Sequence, residues 1–364
     1  MPDSPDRSRL STKFRRAPTR YVPLVRLAFG GMAEVWKGSA ILETGEKYLV
    51  AIKRVLPQLA QDPTYRGMFE DEARLGMLLR HPNIVRVHDA REVGGTYIMI
   101  MELVDGTSLK AILERAHARS ACMPPATALY IARQLASALS YAHGAHEPNG
   151  RPLGIIHRDV SPHNLLLGKD GAVKLADFGL ADASVHSTHL DGGMLGGKLG
   201  YLAPELIEQQ PSTPQIDVFA VGIVLWEMLS GRRLFLGDTD VDTVRAVARC
   251  DVPPPSRFNR RATPELDALV QAILERDPRK RTQGAELLVK DIDRVLTRID
   301  PNVSPRDVSL VVGLHLATEP AAPQPSAAQS AAAFMEELDA FVTTGGAGDL
   351  GAAPLDPDAF GSRY

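Results

Sequence analysis

Residues 155–179 read IIHRDVSPHNLLLGKDGAVKLADFG. The stretch holds a carboxylate at Asp159, an amide at Asn164 and a second carboxylate at Asp177. Two short apolar runs, 165–167 and 172–175, flank a Gly-Lys-Asp-Gly turn, the pattern of a β-hairpin. A hairpin brings its ends together, so Asn164 and the segment carrying Asp177 come side by side and can share a hard cation through oxygen ligands. Asp159 lies on the loop before the hairpin, within reach of a substrate hydroxyl. Two unrelated loop carboxylates are the bland alternative.

His157-Arg158-Asp159 followed by Asn164 resembles the catalytic loop of the protein kinases, and Asp177-Phe178-Gly179 resembles their magnesium-binding motif. Both motifs, in this order and at this separation, are far more specific than either alone. The wording Gly30-Gly31-Met32-Ala33-Glu34-Val35 is similar to that of bacterial eukaryotic-like (Hanks-type) serine/threonine kinases. The resemblance implies an α+β, two-lobed fold, with a β-rich small lobe carrying one regulatory helix, a hinge and a mainly helical large lobe. It also implies ATP and Mg2+ as cofactors and transfer of the γ-phosphoryl group to Ser/Thr hydroxyls of proteins. Asp159 is then the residue that orients the hydroxyl and takes its proton, and Asn164 and Asp177 are the metal ligands.

Upstream, residues 21–38 read as strand, turn and strand, with Gly30 and Gly31 in a turn whose backbone can approach a phosphate. The family's G-x-G-x-x-G-x-V aligns with Ala28 to Val35 and keeps only Gly30 of its three glycines. Ala28, Gly30, Gly31 and Val35 are the nucleotide contacts that this alignment implies. In KYLVAIKRV (47–55) the two-residue period puts Ala51 and Lys53 on one face. The resemblance makes Lys53 the lysine of the α- and β-phosphates. Residues 64–80 have a helical stripe of Phe69, Ala73, Gly76 and Met77, with Glu72 beside it. A carboxylate near an apolar face needs a partner, and Lys53 is the candidate. By resemblance, 97–104 is the fifth strand and hinge. Met101 is its gatekeeper, Glu102 and Val104 offer backbone groups to adenine, and Leu166 is a further nucleotide contact.

Downstream, 180–202 resembles an activation loop closed by Ala203-Pro204-Glu205. Arg158 is a cation that a phosphate there can satisfy, and Ser184, Ser187 and Thr188 are the candidate sites, phosphorylated in trans by a second copy. Asp217 reads locally as a helix N-cap, and by resemblance as the group holding the catalytic-loop backbone. Arg281 matches the family arginine that pairs with Glu205. His143 and His146 have a spacing easily mistaken for a metal pair, without further ligands to support one. One departure stands out. Family members of Ser/Thr type carry a Lys two residues after the catalytic Asp, where this chain has Ser161, and a Thr in the later loop, where it has Lys198. The reading is an exchange, with Lys198 supplying the transition-state charge from the opposite wall.

At 364 residues, 44% hydrophobic, the chain has room for one such domain and tails. A net charge of −3 gives no whole-chain argument for nucleic acid or an anionic membrane. Only Cys122 and Cys250 are present, which fits a reducing cytoplasm. The expected division is a disordered basic tail at 1–20, the kinase domain at 21–299, a helical extension at 300–317, and a disordered Ala/Pro/Gly-rich tail at 318–364. Within that last tail Phe334, Met335, Leu338, Phe341 and Val342 make a short helical stripe. It is either a transient helix or a segment that docks on a partner or on its own domain. The rival function is a nucleotide-binding pseudokinase scaffold, kept open by Ala28, Ala33 and Ser161; a small-molecule kinase fits the A-P-E segment poorly.

Overall fold

The computed structural model describes residues 18–147, 149–178, 198–318 and 328–343. The chain forms two units. One takes Met1–Arg80, Val85–Leu103 and Ala321–Tyr364; the other takes His81–Ile84 and Val104–Pro320.

The first unit is built on an antiparallel sheet of β1 (Arg20–Phe29), β2 (Ala33–Ile41), β3 (Lys47–Val55), β4 (Val87–Val93) and β5 (Thr96–Glu102), in the order β1-β2-β3-β5-β4. Its register fixes what each face carries. Val35 stands opposite Lys53 and Lys53 opposite Met99, while Trp36 stands opposite Ile52 and Ile52 opposite Ile100. Because side chains alternate along a strand, Ala28, Val35, Ala51, Lys53 and Met101 share one face. Trp36, Val50, Ile52, Ile98 and Ile100 share the other, and all five are buried. Helix α1 (Pro63–Leu78) starts where Asp62 accepts the Thr64 amide at 2.8 Å, with proline in its first turn. It lies close to β4 at Gly76, where a Cβ would stand 2.3 Å from the Val87 side chain. Only glycine fits that approach.

The second unit opens with β6 (Gly106–Ser108), α2 (Leu109–Ala118) and α3 (Pro125–His143), followed by the expected hairpin of β7 (Leu165–Gly168) and β8 (Val173–Leu175). At the hairpin turn Gly171 has φ +87° and the turn lies against α9 (Pro305–Leu316), its missing Cβ replaced by the Pro305 carbonyl. Between them run α4 (Pro204–Ile207), α5 (Gln215–Ser230), α6 (Asp240–Arg249), α7 (Pro264–Ile273) and α8 (Ala285–Ile299). Helix α5, apolar all round except for Asp217, Glu227 and its terminal polar residues, is buried from Ile216 to Ser230 and forms the unit's core. Among the described residues no helix is long and apolar enough to cross a membrane.

Arg281 is tied beside α5. Its Nη1 donates to Glu205 Oε1 at 2.7 Å and its Nη2 to Glu205 Oε2 at 3.0 Å, and the ring of Phe219 lies 4.7 Å below its guanidinium. Further donors reach the carbonyls of Gln215 and Glu275, so every side of this buried cation is satisfied. Breaking such a pair from one side leaves a charge buried alone. Arg281→Ala is expected to cost about 3–5 kcal/mol in denaturant unfolding; a change under about 1 kcal/mol would contradict this account of the pair.

Within the tail 318–364, at the stripe read either as a transient helix or as a docking segment, Ala328–Thr343 forms a last helix, α10. It belongs to the first unit, and Phe334, Leu338 and Phe341 pack into one cluster with Tyr21, Trp36, Ile52, Ile98 and Ile100. The stripe was legible in the sequence, but what it covers was not. Removing a Phe or Leu from water stabilises by about 1.5–3 kcal/mol, enough to order a helix that would not persist alone.

Candidate active site

In the first unit, Lys53 Nζ donates to Glu72 Oε1 at 2.6 Å, and both side chains are buried. The pair joins β3 to α1 and gives the Glu72 carboxylate, beside the apolar stripe of its helix, a cationic partner. Of the other candidates here, Ala28, Val35, Ala51 and Met101 lie on the Lys53 face of the sheet. Gly30 and Gly31 form the turn between β1 and β2, closed by the Gly30 amide on the Ala33 carbonyl at 2.9 Å. The Glu102 amide donates to the Arg86 carbonyl at 2.9 Å, so that amide is already engaged.

In the second unit Asp217 sets the loop before the hairpin. Its Oδ2 accepts the His157 amide and its Oδ1 the Arg158 amide, each at 2.8 Å. His143 Nε2 adds a third contact at 2.8 Å. The simple N-cap reading is corrected, since Pro214 occupies the cap and Asp217 lies inside the first turn of α5. The two backbone bonds hold Arg158 at φ +63°, a conformation that non-glycine residues rarely adopt. Asp177 sits at φ +60°, anchored on both sides. The Ala176 amide donates to the Asn164 carbonyl at 2.8 Å, and the Phe178 ring lies 4.5 Å from that of His157. Two strained carboxylate-bearing turns held this firmly are a mark of a functional site.

Asp159 is where the groups converge. Asn164 Nδ2 donates to Asp159 Oδ2 at 2.9 Å, and Lys198 Nζ reaches the same oxygen at 2.5 Å. Both take Oδ2, which leaves Oδ1 without a partner among the described residues. Asn164, its amide nitrogen committed, keeps its oxygen for a cation. With Asp177 one residue beyond the Ala176–Asn164 bond, the donor set is oxygen only and suits a hard divalent ion. Among the described residues no group of three His, Cys, Asp or Glu side chains gathers to hold a metal. Asn164 and Asp177 would hold such an ion, which would supply charge neutralisation for phosphate oxygens. Leu166 and Val104 are both half-buried, Leu166 on β7 and Val104 just before β6.

Lys198, the residue of the exchange reading, lies against Asp159 Oδ2. Ser161 is 1% exposed, and its hydroxyl has no partner among the described residues, so it supplies no charge in place of the lysine. Gly179, Ser184, Ser187 and Thr188 lie outside the described residues.

Sequence reasoning missed the anchor of the Lys198 loop. The Tyr201 hydroxyl donates to Glu227 Oε2 at 2.7 Å, and Arg233 Nε donates to Glu227 Oε1 at 3.0 Å. Burial raises the Glu227 pKa against the opposing pull of Arg233. The signal was available: a lone carboxylate in the otherwise apolar run 218–229 must be satisfied by something. His143 was also missed as a partner of Asp217, having been read only as half of a weak metal pair. His163, between Asp159 and Asn164, has its pKa pushed down to about 4, chiefly by burial, then by the nearby Lys110 and Lys198 ammonium groups. An unfolded histidine binds its proton near pH 6.5, so this site opposes folding as the pH drops from there toward 4. In an NMR titration His163 is expected to stay neutral down to about pH 5; a midpoint near 6.5 would contradict its buried placement.

Comparison with known proteins agrees with this geometry. The profile of one family, described as "Protein kinase domain", matches residues 21–291. The chain is 33% identical over 277 residues to "Tyrosine-protein kinase MasK" of Myxococcus xanthus, covering 76% of this chain and 43% of that protein. It is 35% identical over 274 residues to "Serine/threonine-protein kinase PknB" of Mycobacterium leprae, covering 74% and 42%. With "Serine/threonine-protein kinase PrkC" of Bacillus subtilis it shares 32% over 278 residues, covering 76% and 41%. The chain thus aligns with about two-fifths of the length of each of these relatives.

Proposed function

This chain belongs to the protein kinase domain family, and from that premise we propose that it transfers the γ-phosphoryl group of ATP to Ser or Thr hydroxyls of proteins, itself included. The observation that carries the reading is the convergence of Asn164 and Lys198 on Asp159 Oδ2. Held there, Asp159 presents Oδ1 to the substrate hydroxyl, orients its oxygen for in-line attack and receives its proton. Asp177 and Asn164 would hold magnesium, which would supply charge neutralisation on the phosphates. Lys53, kept in place by Glu72, positions the α- and β-phosphates. Lys198 stabilises the charge that builds on the transferring group, the task its counterpart two residues after the catalytic Asp performs elsewhere in the family.

Two of the three relatives above are named as serine/threonine kinases and one as a tyrosine kinase. Ser/Thr is the choice here because the loop 157–164 lacks the wording of tyrosine kinases. Arg158 is proposed to receive a phosphate placed on Ser184, Ser187 or Thr188 by a second copy, which mass spectrometry of active protein checks. A cytoplasmic site of action, in bacterial signalling, fits the need for ATP and the two free thiols. The scaffold alternative predicts nucleotide binding without chemistry. Incubation with γ-labelled ATP and a generic basic protein separates the two: label is expected with magnesium and none with EDTA. Thermal stabilisation by nucleotide with no label under either condition would favour the scaffold.

A further inference from the structure

The face of the five-stranded sheet that carries Trp36, Val50, Ile52, Ile98 and Ile100 is turned away from the Lys53 face. It is an apolar surface framed by three arginines, one each on β1, β3 and β4: Arg20, Arg54 and Arg91. Helix α10 is its complement in shape and in charge. Phe334, Leu338 and Phe341 follow the i, i+4, i+7 spacing of one helical stripe, and each is at most 1% exposed. Phe341 meets Tyr21 edge-on at 5.7 Å, and Phe334 lies 5.8 Å from Trp36.

The helix brings the acids and the sheet the bases. Glu337 pairs with Arg54, which also donates to Glu34 of β2 at 3.1 Å, so one guanidinium ties β2, β3 and α10 together. Asp339 lies 3.8 Å from Arg20, and Arg91 Nη1 donates to the Phe341 carbonyl at 2.9 Å. The Arg54 and Arg91 guanidinium groups also cover the Phe334 and Phe341 rings at 5.1 and 4.7 Å. None of these partners is adjacent to α10 in the chain. Arg54 and Glu337 are 283 residues apart, so the contact is made by recognition and not by local chain geometry.

We propose that this sheet face is a receptor for an acidic amphipathic helix, and that α10 is its in-chain ligand. The first unit depends on α10 for its stability, and the same sequence supplied in trans can replace it. The inference rests on the first unit alone and stands apart from the phosphotransfer reading. Its readouts are unfolding temperature and peptide binding, neither of which needs catalysis.

The experiment uses the full chain. Leu338→Asp puts a carboxylate into the apolar cluster and is expected to lower the unfolding temperature by about 5–10 °C. A fluorescent peptide of residues 328–343 is expected to bind that variant and restore most of the loss, while the same peptide carrying Leu338→Asp restores none. Wild type, whose own helix competes in cis, should bind the peptide at least about tenfold more weakly. Should Leu338→Asp fail to fold, the milder Glu337→Lys carries the test, and the peptide is expected to bind it more tightly than wild type. Unfolding of Leu338→Asp at the wild-type temperature overturns the dependence. Peptide binding that is absent, or equal in wild type and Glu337→Lys, overturns the receptor.

Discussion

Lys198→Thr is expected to slow phosphoryl transfer by about 100- to 1,000-fold, the cost of removing one preorganised charge from a transition state. The expectation rests on two observations that point the same way. The Lys198 ammonium lies 2.5 Å from Asp159 Oδ2, while Ser161, at the position of the usual lysine, is a buried hydroxyl. Adding Ser161→Lys to Lys198→Thr restores the family's ordinary arrangement and should recover on the order of tenfold of the loss. Ser161→Lys alone crowds two ammonium groups around one carboxylate and should slow the enzyme. The cycle is then strongly non-additive, because both positions act on one group. Additive effects, or a Lys198→Thr enzyme as fast as wild type, would make Lys198 an ordinary loop charge.

Asp159→Asn should lower transfer by about 100- to 10,000-fold while leaving nucleotide affinity close to that of wild type. The amide keeps the size of the carboxylate, so the bonds from Asn164 and the backbone have little reason to rearrange. What it loses is the oxygen that takes the hydroxyl proton. It also loses the charge that holds Lys198, so part of the deficit should be shared with Lys198→Thr, and the double variant should be little worse than Asp159→Asn alone. The informative measurement is nucleotide affinity and turnover side by side. A variant that loses both in proportion would place Asp159 in binding or in folding, not in the chemistry.

Much of this site is legible in the sequence, for physical reasons. A hairpin forces its two ends together, so Asn164 and Asp177 were bound to be neighbours once 165–175 was read as strand, turn and strand. The two-residue period put Ala51 and Lys53 on one face, and a carboxylate beside the apolar stripe of α1 demanded a cation. What stayed hidden depends on contacts across long stretches of chain. Tyr201 and Arg233 both end at Glu227, and no periodicity links them. His143 meets Asp217 because α3 and α5 pack side by side, which turned an apparent metal pair into a brace. The docking of the stripe at 334–342 has the same origin. The stripe 334–342 was visible in the sequence, but it is stabilised by an arginine-framed sheet face that composition does not reveal. The proposed Ser161–Lys198 exchange came only through the resemblance, and the Lys198–Asp159 contact is the observation that supports it.

The most direct test of the account is to follow label from γ-labelled MgATP into a generic basic protein, with wild type and Asp159→Asn run in parallel, and to identify the labelled amino acid after partial acid hydrolysis. The account predicts label on serine or threonine with wild type and almost none with Asp159→Asn. Label on tyrosine alone, or equal labelling by the two proteins, would contradict it.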